Sequence, residues 1–136
     1  MTDRALMDLA LQARKNAYAP YSEFRVGAAL LSAEGQVFCG SNVENASYPA
    51  TICAERAAFS AAVSAGAREF TAIAIAGGKG ETADPCVAPC GICRQVMAEF
   101  CSAENFKIIL GDEKSVKVYT LSELLPLGFG AKNLEG

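Results

Sequence analysis

The stretch PCVAPCGICRQV, residues 85–96, crowds Cys86, Cys90 and Cys93 together in a chain that contains no histidine. No other feature limits the fold as much. A Cys-x-x-Cys pair at the start of a helix is either a redox dithiol or half of a metal site. A redox pair is expected early in the chain, just after a first strand, and needs no distant third thiol. Here Cys90 and Cys93 follow several elements, and Cys53 stands at the start of another expected helix. Two helix N-termini aimed at one point favour thiolates through their dipoles. Three thiolates on one Zn²⁺ leave a fourth position open, which is the arrangement of a catalytic site. A structural site would take a fourth protein ligand, and Cys39, Cys86 or Cys101 could supply it.

The rest of the chain must bring those helix starts together. Residues 3–16 read as an amphipathic helix with Leu6, Leu9 and Ala10 on one face, and Pro20 breaks the pattern. Val26 to Leu31 is an apolar strand, Ala33-Glu34-Gly35 a turn, and Gln36 to Gly40 the returning strand. An alanine-rich helix runs from near Cys53 to Gly66. FTAIAIAG is a short apolar strand, GGKGETADPCVA a polar loop, and Pro89 opens the helix CGICRQVMAEFC. FKIILG and VKVYTL are two more strands, and SELLPLG is a last helical turn capped by Ser122. Strands alternating with helices predict an α/β fold, a three-layer α/β/α sandwich around a five-stranded mixed sheet. With no repeat and no linker, residues 1–136 form one expected domain. GGKGET lacks the Gly-Lys-Ser/Thr order of a phosphate loop and is read as an ordinary loop.

Composition narrows the partners. Apolar residues make up 51% and charged ones 20%, which suggests buried surface beyond one core, such as a subunit interface. A net charge of −3 and the absence of tryptophan argue against nucleic-acid binding, since no basic footprint or stacking platform exists. Asp3, Arg4, Asp8 and Arg14 interrupt any signal-peptide core, and no stretch approaches the roughly 18–20 apolar residues of a membrane span. The expected location is the cytoplasm, where six cysteines point to metal or catalysis before disulfides.

Glu55 gives the metal a chemical use. It lies two residues after Cys53, near the metal without being forced onto it, and a chain without histidine needs a carboxyl group to move protons. Three thiolates make zinc a weaker activator of water than neutral imidazoles would, so a compensating cation is expected. Arg56 is adjacent and can hydrogen-bond to thiolate sulfur.

C-x-E followed by P-C-x-x-C (Cys53, Glu55, Pro89, Cys90, Cys93) is the signature of zinc deaminases in its three-cysteine form. FRVGAAL, GSNVENASYPATICAERAA, PCGICRQV and ELLPLGF together resemble the small homotetrameric cytidine deaminases of nucleoside salvage, from about residue 5 to residue 130. The resemblance implies one Zn²⁺ per subunit on Cys53, Cys90 and Cys93, and attack by a zinc-bound hydroxide at C4 of cytidine or 2′-deoxycytidine. Glu55 would take the water proton, protonate N3 and assist the leaving amine. The Ala54 backbone N–H would meet the ring carbonyl, and the Ala88 carbonyl the amino group. Phe24 and Val26 would wall the pocket, and Asn42 and Glu44 would hold the ribose 3′-hydroxyl. Tyr48 and Phe129 would reach a neighbouring subunit's site. Cys86 is an extra thiol, and Ala88 and Ile92 stand where serine and alanine are frequent. Other readings are a deaminase of a related nucleoside antibiotic or a polynucleotide, and a non-catalytic zinc scaffold closed by Cys86. A scaffold does not require Glu55, and a carboxylate such as Glu44 repels a phosphate.

Overall fold

A computed structural model describes residues 1–135. In chain order it has α1 (Asp3–Arg14), β1 (Arg25–Ser32), β2 (Val37–Ser41), α2 (Ala54–Ser64), β3 (Phe70–Gly78), α3 (Gly91–Phe100), β4 (Lys107–Gly111), β5 (Val116–Thr120) and α4 (Leu121–Leu124). Single 3-10 turns, absent from the sequence reading, lie at Tyr48–Ala50 and Ala131–Leu134.

The alternation along β3 sets the layers. Successive strand residues point to opposite faces, so Ile73 and Ile75 fall on one side and Ala72, Ala74 and Ala76 on the other. The alanine side admits a close helix: α1 buries Leu6, Met7 and Ala10 there. On the isoleucine side Ala54, Ala58, Phe59 and Ala62 of α2 and Met97 of α3 complete a second core with Phe70, Phe106 and Ile108. The sheet order is β2-β1-β3-β4-β5, with β3 and β4 parallel and the other pairs antiparallel. This is the expected three-layer sandwich on a five-stranded mixed sheet. The parallel pair needs a crossover, and the segment containing α3 provides it. No helix among the described residues is long and apolar enough to cross a membrane.

Local expectations differ in two places. On α1, Met7 is buried with Leu6 and Ala10, whereas Leu9 is only half-buried at the edge of that core. The last helical turn is capped by Thr120 and not by Ser122. The Thr120 hydroxyl accepts the Glu123 N–H, and the Glu123 carboxylate accepts the Thr120 N–H at 2.8 Å, a reciprocal capping box. Thr120 takes the role because it ends β5 in extended backbone, the conformation a cap requires.

One close approach positions α2. A Cβ added at Gly40 of β2 would fall on the backbone of Ala54 and Ala58, so the first turn of α2 rests directly on the strand. Gly40→Ala should therefore push that turn outward and destabilise the protein by about 1–3 kcal/mol. Denaturant unfolding measures this, and an unchanged midpoint would contradict the packing described.

Candidate metal and catalytic centre

Cys53 and Cys90 occupy the N-cap positions of α2 and α3 in extended backbone, and neither side chain caps its own helix. Both thiols are thus free to serve another purpose, beside helix ends whose first N–H groups lack intrahelical partners. The Cys53 and Cys90 sulfurs are 3.8 Å apart and those of Cys90 and Cys93 3.5 Å apart, and all three lie within 4.8 Å of one another. Tetrahedral zinc with Zn–S bonds of about 2.3 Å implies sulfur–sulfur separations of about 3.8 Å, so the set fits zinc. Three protein donors are one short of the usual four. Cys39, Cys86 and Cys101 are not in this cluster, and no other such group of three occurs among the described residues.

Before any metal binds, the electrostatics favour a thiolate at Cys53. The Cys53 thiol is lowered to about 5, first by a hydrogen bond from Cys93 and then, against the effect of burial, by Arg56. Cys93 is pushed up by that same bond and by its own burial. Arg56 donates to the Thr51 carbonyl at 3.3 Å and lies 3.6 Å from the Cys53 sulfur, and the Cys53 interaction raises its pKa most. Its Nε is buried without a protein partner. A cation beside the thiolates was the sequence expectation, and the guanidinium stands there.

Glu55, in the first turn of α2, is 4% exposed. Burial raises its carboxyl to about 7, and its own backbone N–H opposes the rise. A group near neutrality can both take and give a proton. The Ala54 N–H, in the first turn without an intrahelical partner, lies at the same helix end.

A short backbone ladder carries the segment leading to this centre. Val43 and Ile52 exchange N–H···O bonds of 2.9 Å, while Tyr18 donates to Asn42 at 2.9 Å and accepts from Glu44 at 2.8 Å. Asn42 is buried: its side chain accepts the Val26 N–H at 2.8 Å and donates to the Phe24 carbonyl at 2.9 Å. The amide keeps one N–H in reserve. Glu44 accepts the N–H groups of Tyr21 and Ser22 at 2.9 and 3.1 Å and the Ser22 hydroxyl, and that hydroxyl is the main cause of its lowered pKa. A cavity of about 460 Å³ lined by Tyr21, Ser22, Glu44, Asn45, Tyr48 and Thr51 opens here, its wall ending two residues before Cys53.

Of the remaining expected residues, Phe24 and Val26 meet Val87 over Gly77, one residue from the exposed Ala88. Tyr48 is 73% exposed and stacks edge-on against Tyr21; Phe129 is 56% exposed, on the far C-terminal segment. Neither finds a core in its own chain. The sequence reading passed over Ser22, Arg94 and Gln95. Arg94 donates to the Pro89 carbonyl at 2.8 Å, just before Cys90, and also to Leu124; Gln95 donates to the Phe129 carbonyl at 2.8 Å. Arg94 directly follows a ligand-type cysteine, a signal that could have flagged it.

Residues 1–109 match the family model of the cytidine and deoxycytidylate deaminase zinc-binding region. The chain is 49% identical over 135 residues to a cytidine deaminase of Halalkalibacterium halodurans, covering 98% of both chains. It is 45% identical to one of Sporosarcina psychrophila, over 90% of this chain and 88% of that one. Its fold superposes on a crystal structure of cytidine deaminase from Burkholderia pseudomallei with a TM-score of 0.87 and 47% identity, covering 95% of this chain and all of the other. The cytidine deaminase of Mycobacterium tuberculosis superposes with a TM-score of 0.81 at 40% identity, over 96% and 98% of the two chains.

Two measurements check the site. Cys93→Ser should lose bound zinc, whereas Cys86→Ala should keep it, both read by metal analysis after gel filtration. The second concerns Glu55 without metal. A carboxyl whose pKa rises on folding binds more protons folded than unfolded between the two values, so stability falls as pH rises through that window. Metal-free protein should lose stability relative to Glu55→Gln from pH 4.5 to about 7. Denaturation at several pH values reads the difference, and a pH-independent gap would contradict the burial argument.

Proposed function

Because the chain belongs to the zinc-dependent cytidine deaminase family, we propose how its residues divide the work of that reaction. The enzyme is a zinc-dependent hydrolase that deaminates cytidine to uridine and ammonia. The single observation that carries the division of labour is the buried carboxyl of Glu55, two residues from a thiol cluster that leaves one zinc position to a non-protein ligand.

Cys53, Cys90 and Cys93 hold one zinc per subunit. The chemistry supplied by bound zinc is acidification of water, which makes a nucleophile available near neutral pH. Glu55 accepts the water proton and delivers it to ring N3, then takes the proton of the new C4 hydroxyl and passes it to the departing amine, so that the C4–N bond breaks as the C4–O bond becomes the uridine carbonyl. Arg56 offsets thiolate charge, so the three sulfurs donate less to the metal. The Ala54 N–H orients the ring carbonyl and the Ala88 carbonyl receives the amino group. Phe24 and Val26 form an apolar wall against the base. Asn42, through its free N–H, and Glu44, through its remaining lone pair, hold the sugar 3′-hydroxyl. A site that reads the 3′-hydroxyl accepts cytidine and 2′-deoxycytidine alike, and the Glu44 carboxylate repels a 5′-nucleotide.

The exposed Tyr48 and Phe129 support a homotetramer in which each reaches a neighbour's site, near the sugar and over the base respectively. Exposed aromatic side chains of this size are typical of interfaces. Pyrimidine salvage in the cytoplasm is the setting that such a nucleoside enzyme fits.

Glu55→Gln should retain zinc while turnover falls by at least ~10²–10⁴, followed by the loss of cytidine absorbance. Wild-type turnover in that variant would overturn the proton role. In a panel run alongside, cytidine and deoxycytidine should react and CMP and adenosine should not. Turnover of CMP would remove Glu44 from the sugar site.

A further inference from the structure

The Cys90–Cys93 half of the metal site hangs from a segment without helix or strand, running from the end of β3 to Pro89. Such a segment holds two ligands in place only if something fixes it. At its near end the main anchor is Arg14, to which Arg25 adds one exposed bond to the Gly80 carbonyl at 3.2 Å. Arg14, the last residue of α1, is 4% exposed, although an arginine is rarely buried without partners. Its partners are all backbone carbonyls: Nε donates to Arg25 at 3.0 Å, Nη1 to Glu81 at 3.1 Å, and Nη2 to Gly78 at 2.7 Å and Gly80 at 2.5 Å. Two of these four, Gly80 and Glu81, belong to the loop, and Gly78 ends β3 where the loop begins. The rigid fork of guanidinium donors suits this clamp, which an ammonium with three donors would fill incompletely.

Two further bonds continue the clamp. The Ala83 N–H donates to the Glu113 carboxylate at 3.1 Å, and the Asp84 N–H donates to the Gly77 carbonyl at 2.7 Å. Burial lowers the pKa of Arg14, Arg25 adds to this, and Glu113 and Asp84 oppose it, so the two carboxylates also lie within its field. The base of the clamp is firm, because a Cβ at Gly27 of β1 would fall on the backbone of Ala10 and Arg14, so α1 is seated directly on the sheet. Yet α1 lies on the face of the sheet opposite α2 and α3.

We propose that Arg14 is a positioning residue for the Cys90–Cys93 half of the metal site, acting from the far face of the sheet through the loop of residues 79–89. It touches neither the metal nor the substrate. The inference rests on the zinc reading of the cysteine cluster.

The test compares Arg14→Met, Arg14→Lys and Leu6→Ala. Leu6 is buried in the same helix and makes no hydrogen bond to the loop, although Ala83 of the loop shares its apolar core, so its variant controls for lost packing and stability with the clamp intact. Zinc transfer to a chromophoric chelator, the thiolate charge-transfer bands of the Co²⁺-substituted protein, and amide exchange at Ala83 and Asp84 are measured in each. Arg14→Met should release zinc about 10-fold or more faster than wild type, within the range for loss of an outer-shell support. It should also shift the Co²⁺ bands and speed exchange at Ala83 and Asp84. Arg14→Lys should fall between, and it carries the test if Arg14→Met does not fold. Leu6→Ala should lower the melting temperature while leaving release and bands unchanged. Wild-type release and exchange in folded Arg14→Met or Arg14→Lys, or equally fast release in Leu6→Ala, would overturn the proposal. Absence of zinc from wild-type protein would instead overturn the metal reading itself.

Discussion

Three thiolates within 4.8 Å of one another repel strongly, and most of what surrounds them opposes that repulsion. Without metal, Cys53 is favoured as the thiolate while Cys93 keeps its proton. A dication and the Arg56 guanidinium together match three thiolates, so the full set of charges balances only with metal present. The two helix N-termini add partial positive charge at the same point. The absence of histidine is part of this arrangement. It makes the donor set entirely anionic, creates the need for Arg56, and leaves the buried carboxyl of Glu55 as the proton carrier we propose.

The two halves of the centre arrive by different means. Cys53 follows a segment tied into a backbone ladder of four hydrogen bonds linking residues 18, 42–44 and 52, so the candidate metal ligand and the sugar-site candidates Asn42 and Glu44 share one scaffold. Cys90 follows a loop with no ladder, held at its ends by the Arg14 and Arg94 side chains. Between them the sheet works as a spacer. Small residues on one face of β3 and large ones on the other set how near each helix comes.

What the sequence made legible was what depends on pattern. Strand alternation and the alanine-rich helix gave the layers as local regularities. The two local motifs C-x-E and P-C-x-x-C, 37 residues apart, gave the thiol cluster only through the resemblance that pairs them. Arg14 was invisible as a clamp, since its partners are carbonyls, which no residue type announces. The Thr120 cap was missed because strand and helix share a boundary there, and two neighbouring hydroxyl residues both looked suitable. Ser22 went unnoticed because its partner Glu44 is 22 residues away and joins it only through the fold. Arg56 was readable because its partner is three positions along the same turn.

The Arg14 clamp has a consequence for how the chain can change over time. It grips main-chain oxygens, which every amino acid carries alike. The side chains of Lys79, Glu81 and Thr82 are exposed, and the grip reads none of them. Side chains at these three positions can therefore change while the shape of the loop is kept, a few residues from ligands whose chemistry allows no such freedom. For an engineer the same property makes this loop a natural place for a fluorescent label, one that would report on the metal site without altering any residue that holds it.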